Sequence, residues 1–210
     1  MSEYHKIQTV FKRDQKTNKI IVGDWTNPEF EYLANNEWEF TEKVDGTNIR
    51  VIIKDGVVTF GGRTDAAQIP ASLISRLLEL FPQTGDWVGQ FDGDVTFYGE
   101  GYGPKIQKVG SLYRKDQSFV LFDVRVGRWW FQRSDVVAVA EKLRLDVVPV
   151  IGTGTLHDAI SLAATGMTSY WGSFQSEGIV ARPRVELFAR NGQRIIAKIK
   201  TKDFNSGESK

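Results

Sequence analysis

Thr47-Asn48-Ile49-Arg50-Val51-Ile52-Ile53-Lys54-Asp55-Gly56-Val57-Val58-Thr59-Phe60 is the stretch that decides the fold. β-Branched residues crowd both halves, and Asp55-Gly56 between them suits a tight two-residue turn, so residues 47–60 read as a β-hairpin. Two more hairpins are expected on either side. One covers residues 6–22 with a polar turn at Asp14 to Asn18, and the other joins VELFAR to QRIIAKIK through Asn191-Gly192. Apolar residues at helical spacing occupy three places: Pro70 to Phe81 behind a proline, Ser134 to Leu143 behind a serine cap, and Thr155 to Met167 behind a threonine cap with Asp158 three residues on. Strands and helices do not alternate as a parallel sheet requires. The expected class is therefore α+β, with antiparallel β-sheets flanked by helices.

A chain of 210 residues, 41% hydrophobic and 25% charged, fits one ordinary globular domain, drawn over 1–204 with a short polar tail over 205–210. It has no run of about 18 apolar residues and no apolar N-terminal signal, so the expectation is a cytoplasmic protein without a membrane partner. Cysteine is absent, which removes disulfides and thiolate zinc sites. His5 and His157 are the two histidines, too few for a multi-histidine metal site. At a net charge of +1, any nucleic-acid contact must come from local patches. One patch gathers Lys105, Lys108, Arg114 and Lys115 with Tyr102 and Tyr113 among them; it reads either as a nucleic-acid track with stacking help or as a solvated loop. Trp129 and Trp130 read as packing residues.

Immediately before the central hairpin stands Lys43-Val44-Asp45-Gly46. A lone K-x-D-G decides little, since about one chain in twenty of this length carries one by chance. The ordered series of segments downstream of it decides more. Gly61-Gly62-Arg63-Thr64 ends a strand, Phe97-Tyr98-Gly99-Glu100 ends another, and Phe119 to Val124 forms a third. Ser176-Glu177-Gly178-Ile179-Val180 and Ala197-Lys198-Ile199-Lys200 close the series.

This collinear set resembles the motifs of the covalent nucleotidyltransferases, the superfamily of polynucleotide ligases and mRNA capping enzymes, over residues 42–200. Asn48, the GGRT segment and Tyr98-Gly99-Glu100 are most similar to RNA ligases. The resemblance implies a ligase-type nucleotidyltransferase (adenylation) domain, ATP with Mg²⁺ (or Mn²⁺) as cofactors, and RNA or a nicked duplex as the nucleic-acid partner. It makes Lys43 the nucleophile that forms lysyl-AMP, with Lys198 and Lys200 handling phosphate and Glu177 holding the metal. It further implies nucleotide contacts from Glu42 (adenine edge), Asn48, Arg63 (phosphate and ribose), Glu100 (ribose hydroxyls) and Phe119 (stacking on adenine), with Phe122 as the alternative stacking ring.

The chemistry suits those residue types. A lysine nucleophile must be neutral, and with a model value of about 10.4 roughly one in a few thousand is neutral at pH 7. Burial and neighbouring cations shift that balance, and Lys198 and Lys200, two apart on a strand, share one face. They also neutralise the charge of departing pyrophosphate. A carboxylate such as Glu177 offers the hard oxygen that Mg²⁺ prefers. Outside the series each residue has a plainer reading: Lys198 and Lys200 as a solvated face, Glu177 as a strand-rim residue, Glu100 as a turn carboxylate, Phe119 as core.

The expected activity is ATP-dependent sealing of 5′-phosphate and 3′-hydroxyl RNA ends through lysyl-AMP and an adenylylated 5′ end. The alternatives are a minimal ATP-dependent DNA ligase, and a nucleotide- or nick-binding module without full sealing. Ten residues follow Lys200, where ligases of this superfamily carry a second domain. Either the core suffices or a partner chain supplies the missing surface.

Overall fold

The structure, a computed structural model, describes residues 3–84, 89, 91 and 93–204; the tail expected over 205–210 lies outside the described residues. Its strands are β1 (Gln8–Thr9), β2 (Phe11–Arg13), β3 (Ile20–Trp25), β4 (Trp38–Glu42), β5 (Thr47–Lys54), β6 (Val57–Gly61) and β7 (Val95–Tyr102). They continue as β8 (Ser118–Val126), β9 (Trp129–Trp130), β10 (Asp146–Val147), β11 (Val150–Gly154), β12 (Gly178–Pro183) and β13 (Ala197–Lys200). The helices are α1 (Pro28–Tyr32), α2 (Ala71–Leu80), α3 (Gly110–Tyr113), α4 (Arg133–Leu143) and α5 (Leu156–Thr165). The class is α+β with mainly antiparallel sheets, as expected; among the described residues only the short edge pairs β1 with β13 and β10 with β8 run parallel. The chain divides into two compact units.

The first unit is Asp45–Val148 together with Tyr4. Its sheet runs β10-β8-β7-β5-β6, with β9 beside β8. The β5–β6 hairpin is the one expected: Asp55 and Gly56 take φ of 50° and 75°, the left-handed pair that a two-residue primed turn requires. Strand alternation then sends Ile49, Val51 and Ile53 to one face, where Leu73 and Leu77 of α2 and Val136 and Ala140 of α4 cover them. Each such buried side chain contributes about 1.5–3 kcal/mol relative to exposure. Helix α4 starts one residue earlier than Ser134, with Gln132 at the cap and no side-chain cap bond, so the expected serine cap does not form. Trp130 packs against Tyr4 and Tyr98, but Trp129 is 73% exposed and is no packing residue.

The second unit is His5–Val44 and the chain from Pro149 on. Its main sheet runs β1-β13-β12-β4-β11, and β2-β3 form a separate pair. Trp38, Phe40, Ile179, Ala181, Ala197 and Ile199 make one apolar face, packed by Leu156, Ala159 and Ala163 of α5. Helix α5 has the expected start: Thr155 accepts from the Asp158 N–H while Asp158 accepts from the Thr155 N–H. The hairpin expected at 6–22 forms only as β2–β3, because Gln8–Thr9 instead joins the edge of β13. The hairpin expected from VELFAR to QRIIAKIK forms only around its turn: Phe188 bridges Arg194, the Ala189 N–H donates to the Gln193 carbonyl and the Ile195 N–H to the Leu187 carbonyl. Farther along the second arm, Ala197–Lys200 pair with β12 and β1 instead, so the hairpin does not extend into β13.

Candidate active site

In the second unit, Lys43 comes directly after β4, and its backbone N–H donates to the Gly178 carbonyl at 2.9 Å. This bond sets the end of β4 against the start of β12 and brings Lys43 to Glu177. The Lys43 ammonium donates to Glu177 Oε2 at 2.5 Å, and Lys200 Nζ stands 2.7 Å from the other oxygen, Oε1. One carboxylate thus bridges two lysines from separate strands. The three side chains are 22%, 13% and 24% exposed for Lys43, Glu177 and Lys200, partly desolvated yet open to a ligand. Alternation along β13 buries Ala197 and Ile199 and leaves Lys198 and Lys200 half-buried on the opposite face, as expected from their spacing. The hydroxyls of Ser176 and Thr201, next in sequence to Glu177 and Lys200, are buried without hydrogen-bond partners.

Glu42 lies one residue before Lys43 and is almost fully buried. Its Oε2 accepts from the Tyr170 N–H at 2.7 Å, while Oε1 is buried without a partner. Burial pushes this carboxyl above its ordinary value, against the opposing hydrogen bonds from Ser169 and the Tyr170 N–H. The segment that carries Ser169 and Tyr170 is closed at its base by Ser176 N–H donating to the Met167 carbonyl. Sequence reading missed this contact. No local pattern marks residues 169–170 as neighbours of Glu42.

In the first unit, the sheet presents Asn48 and Glu100 directly opposite each other, with Glu100 in turn opposite Val120. Glu100 lies inside β7 and not in a turn, which corrects the plainer reading of it as a turn carboxylate. The Asn48 side-chain oxygen is buried with no partner, an acceptor left available for a ligand donor. Arg63 is exposed just beyond β6. The loop that carries it is shaped by Arg50, which is buried and donates from Nε to the Gly62 carbonyl at 2.8 Å and from Nη2 to Asp65 at 2.7 Å. Nothing in the sequence around Arg50 marks this organising role, which depends on contacts twelve and fifteen residues away.

Phe119 needs correction. It is 0% exposed in the α2–α4 core, its ring edge-on to Phe81, and a Cβ on Gly99 would collide with that ring. Gly99 therefore faces the core, so Glu100, the next residue, faces the other way. Phe119 and Glu100 lie on opposite faces of the sheet, and no nucleotide touching Glu100 on its own face can stack on Phe119. Phe122 is the ring on the Glu100 face. An irregularity at Tyr98/Gly99 shifts the register there, and Phe122 packs edge-on to Tyr4, which also packs on Tyr98 and donates to Asp123. Phe122 is partly exposed.

Among the described residues there is no group of three or more His, Asp or Glu side chains suited to a metal. A divalent cation at Glu177 would thus take this one carboxylate, completed by phosphate and water oxygens, a habit that suits Mg²⁺. Among the same residues, no helix is long and apolar enough to cross a membrane.

The sequence model of the RNA ligase family matches residues 36–200, from β4's approach to the end of β13. The chain belongs to the RNA ligase family. The match places it within the nucleotidyltransferase superfamily that the motif series resembles. Solved structures of Naegleria gruberi RNA ligase share its fold. A variant with ATP and manganese aligns at TM-score 0.69 and 19% identity, covering 95% of this chain and 56% of that one. A variant with AMP and manganese gives 0.67 and 19%, covering 86% and 54%. A ligand-free variant gives 0.67 and 18%, covering 98% and 60%. This RNA ligase family member thus spans a little over half the length of the solved chains it matches. Comparison with curated proteins finds no match.

Proposed function

We propose that the chain is the nucleotidyltransferase part of an ATP-dependent RNA ligase in which Lys43 forms a covalent lysyl-AMP. The observation that carries this reading is the Lys43–Glu177–Lys200 cluster, formed from three separate motifs in a chain of the RNA ligase family. The Naegleria gruberi structures with ATP or AMP and manganese support a nucleotide with a divalent metal. In the first step the Lys43 Nζ–phosphorus bond forms at the α-phosphate while the bond to the β-phosphate oxygen breaks and pyrophosphate leaves. Glu177 holds Lys43 in place beforehand, and the Lys43 ammonium gives one proton to solvent before it attacks and a second as the phosphoramidate forms. Lys200 and Lys198 offset the charge that builds on the leaving pyrophosphate. A divalent metal, when bound at Glu177, supplies further charge neutralisation at the phosphates.

The AMP then passes to the 5′-phosphate of an RNA end, freeing Lys43. A 3′-hydroxyl attacks that phosphate, AMP leaves and the strands join. Asn48 and Glu100 are assigned to the ribose side of the nucleotide, Arg63 to its phosphates, Phe122 to the base, and Glu42 to the base edge. The test is intact-mass spectrometry after incubation with ATP and Mg²⁺ or Mn²⁺. The expected product is heavier by one AMP, with the adduct mapped to Lys43 and absent from Lys43→Ala. No adduct, or an adduct elsewhere, overturns the reading.

A further inference from the structure

The first unit carries a second polar feature, apart from the residues assigned above. An open groove of about 490 Å³ runs between α2 and the loop after β7, its lining including Arg76, Glu79, Lys105, Lys115, Asp116 and Gln117. We propose that this groove, with Lys108 beside it on the same loop, binds the phosphodiester backbone of the RNA strand to be joined. The proposal rests on the RNA ligase reading and names the surface that would hold its substrate.

Lys105, Lys108 and Lys115 are exposed and make no ion pair among the described residues. The two acids that line the groove are already engaged, Glu79 with Arg76 and Asp116 with Arg114, and Arg114 also pairs with Asp146. Three lysine charges are left to attract an anion. A solvated loop of the same composition has no need to keep its acids occupied by arginines.

Gln117 donates to the Pro104 carbonyl at 2.8 Å and accepts from Ser72 of α2 at 2.7 Å, which clips the two arms of the loop to each other and to the helix. At its other side, Gln107 donates to the Gly46 carbonyl at 2.9 Å, and the Tyr113 hydroxyl accepts from the Asp45 N–H at 3.1 Å. Asp45 and Gly46 come directly after Lys43-Val44 in the chain. The lysines are therefore displayed on a loop anchored to the nucleophile's own motif. Lys105 also holds φ of 64°, a left-handed conformation that a residue with a side chain adopts only when its surroundings impose it.

The aromatics decide the mode of contact. Tyr102 and Tyr113 are buried, so stacking on them is excluded and the surface offers cations and hydroxyls alone. Such a surface reads phosphates and carries no sequence preference. A single nucleotide would engage it weakly, whereas a strand presents one phosphate after another.

The experiment compares the full chain with Lys105→Ala/Lys108→Ala/Lys115→Ala. The probe is a 5′-phosphorylated single-stranded RNA of about ten nucleotides, with binding monitored by fluorescence anisotropy between roughly 50 and 200 mM salt. Three lost phosphate contacts should make the slope of log affinity against log salt shallower by about 2, at about 0.7 per contact on a single strand, and equally for different RNA sequences. An unchanged slope and affinity overturn the proposal. So does displacement of the RNA by polyglutamate as effectively as by an RNA of equal charge, which would assign the groove to an acidic protein. Lysyl-AMP formation needs no RNA and is measured in the same preparations. Its parallel loss in the triple variant also overturns the proposal, by moving the lysines to the nucleotide. Its absence from the unmodified chain overturns the function reading and leaves the groove to be judged by the salt slope alone.

Discussion

Replacing Glu177 by Gln tests the centre of the site with a change of charge and almost none of shape. In the native arrangement each carboxylate oxygen accepts from one ammonium, Lys43 at 2.5 Å and Lys200 at 2.7 Å. The amide keeps one accepting oxygen and turns the other position into a donor, so one of the two charged contacts is lost. A hydrogen bond to a charged group contributes about 1.5–3 kcal/mol. Because these side chains are about a fifth exposed and partly screened, the lower end applies, about 2 kcal/mol. For a chain of this length, about 2–4 °C of melting temperature accompany each kcal/mol, so a fall of about 4–8 °C is expected. The two lysines then compete for one neutral oxygen, which loosens Lys43, and misplacement of a reacting group by about 1 Å costs roughly a hundredfold in rate. The assay pairs thermal melting with the initial rate of lysyl-AMP formation at saturating ATP. A melting temperature within about 1 °C of the native chain, together with an undiminished rate, would refute the bridging role. Recovery of the rate by raised Mn²⁺ would move the role of Glu177 from lysine positioning to metal binding.

Two further substitutions separate readings of single residues. Phe119→Ala should cost stability, about 3–5 kcal/mol for a core ring, while Phe122→Ala should leave melting nearly unchanged and raise the ATP concentration needed for half-maximal lysyl-AMP formation; the opposite pattern would return the base to Phe119. Burial raises the Glu42 carboxyl above its ordinary 4.5, so the folded chain holds that proton more tightly than the unfolded one. Its stabilising contribution is therefore complete below 4.5 and declines as pH rises through the raised value. Glu42→Gln should flatten the part of the melting-temperature profile that lies above 4.5, and superimposable profiles would disprove the assignment.

The legible part of this protein is what neighbouring residues decide among themselves. Asp55-Gly56 dictates its own turn because only residues tolerant of positive φ fit there, and Thr155 with Asp158 builds a helix start from atoms three residues apart. The motif series is legible for a related reason: each segment is short, contiguous and rich in chemistry-bearing residues, so the family and the lysine stand out without a fold. Alternation alone also placed Lys198 and Lys200 on one face.

Only the tertiary structure decided which partners distant segments chose. Glu177 meets Lys43 across 134 residues, and nothing in either segment specifies the other. Phe119 and Phe122 are both aromatic residues of one strand; the glycine across the sheet and the shifted register send the first into the core and the second to the face with Glu100. The hairpin expected at VELFAR closes only around Asn191-Gly192 for the same kind of reason, since β13, at the end of its second arm, pairs with β12 and β1. Local sequence sets turns, caps and alternation because those energies are settled within a few residues. Sheet order and the face a side chain occupies are settled by competition among segments far apart in the chain, and that competition is resolved only when the whole sheet forms.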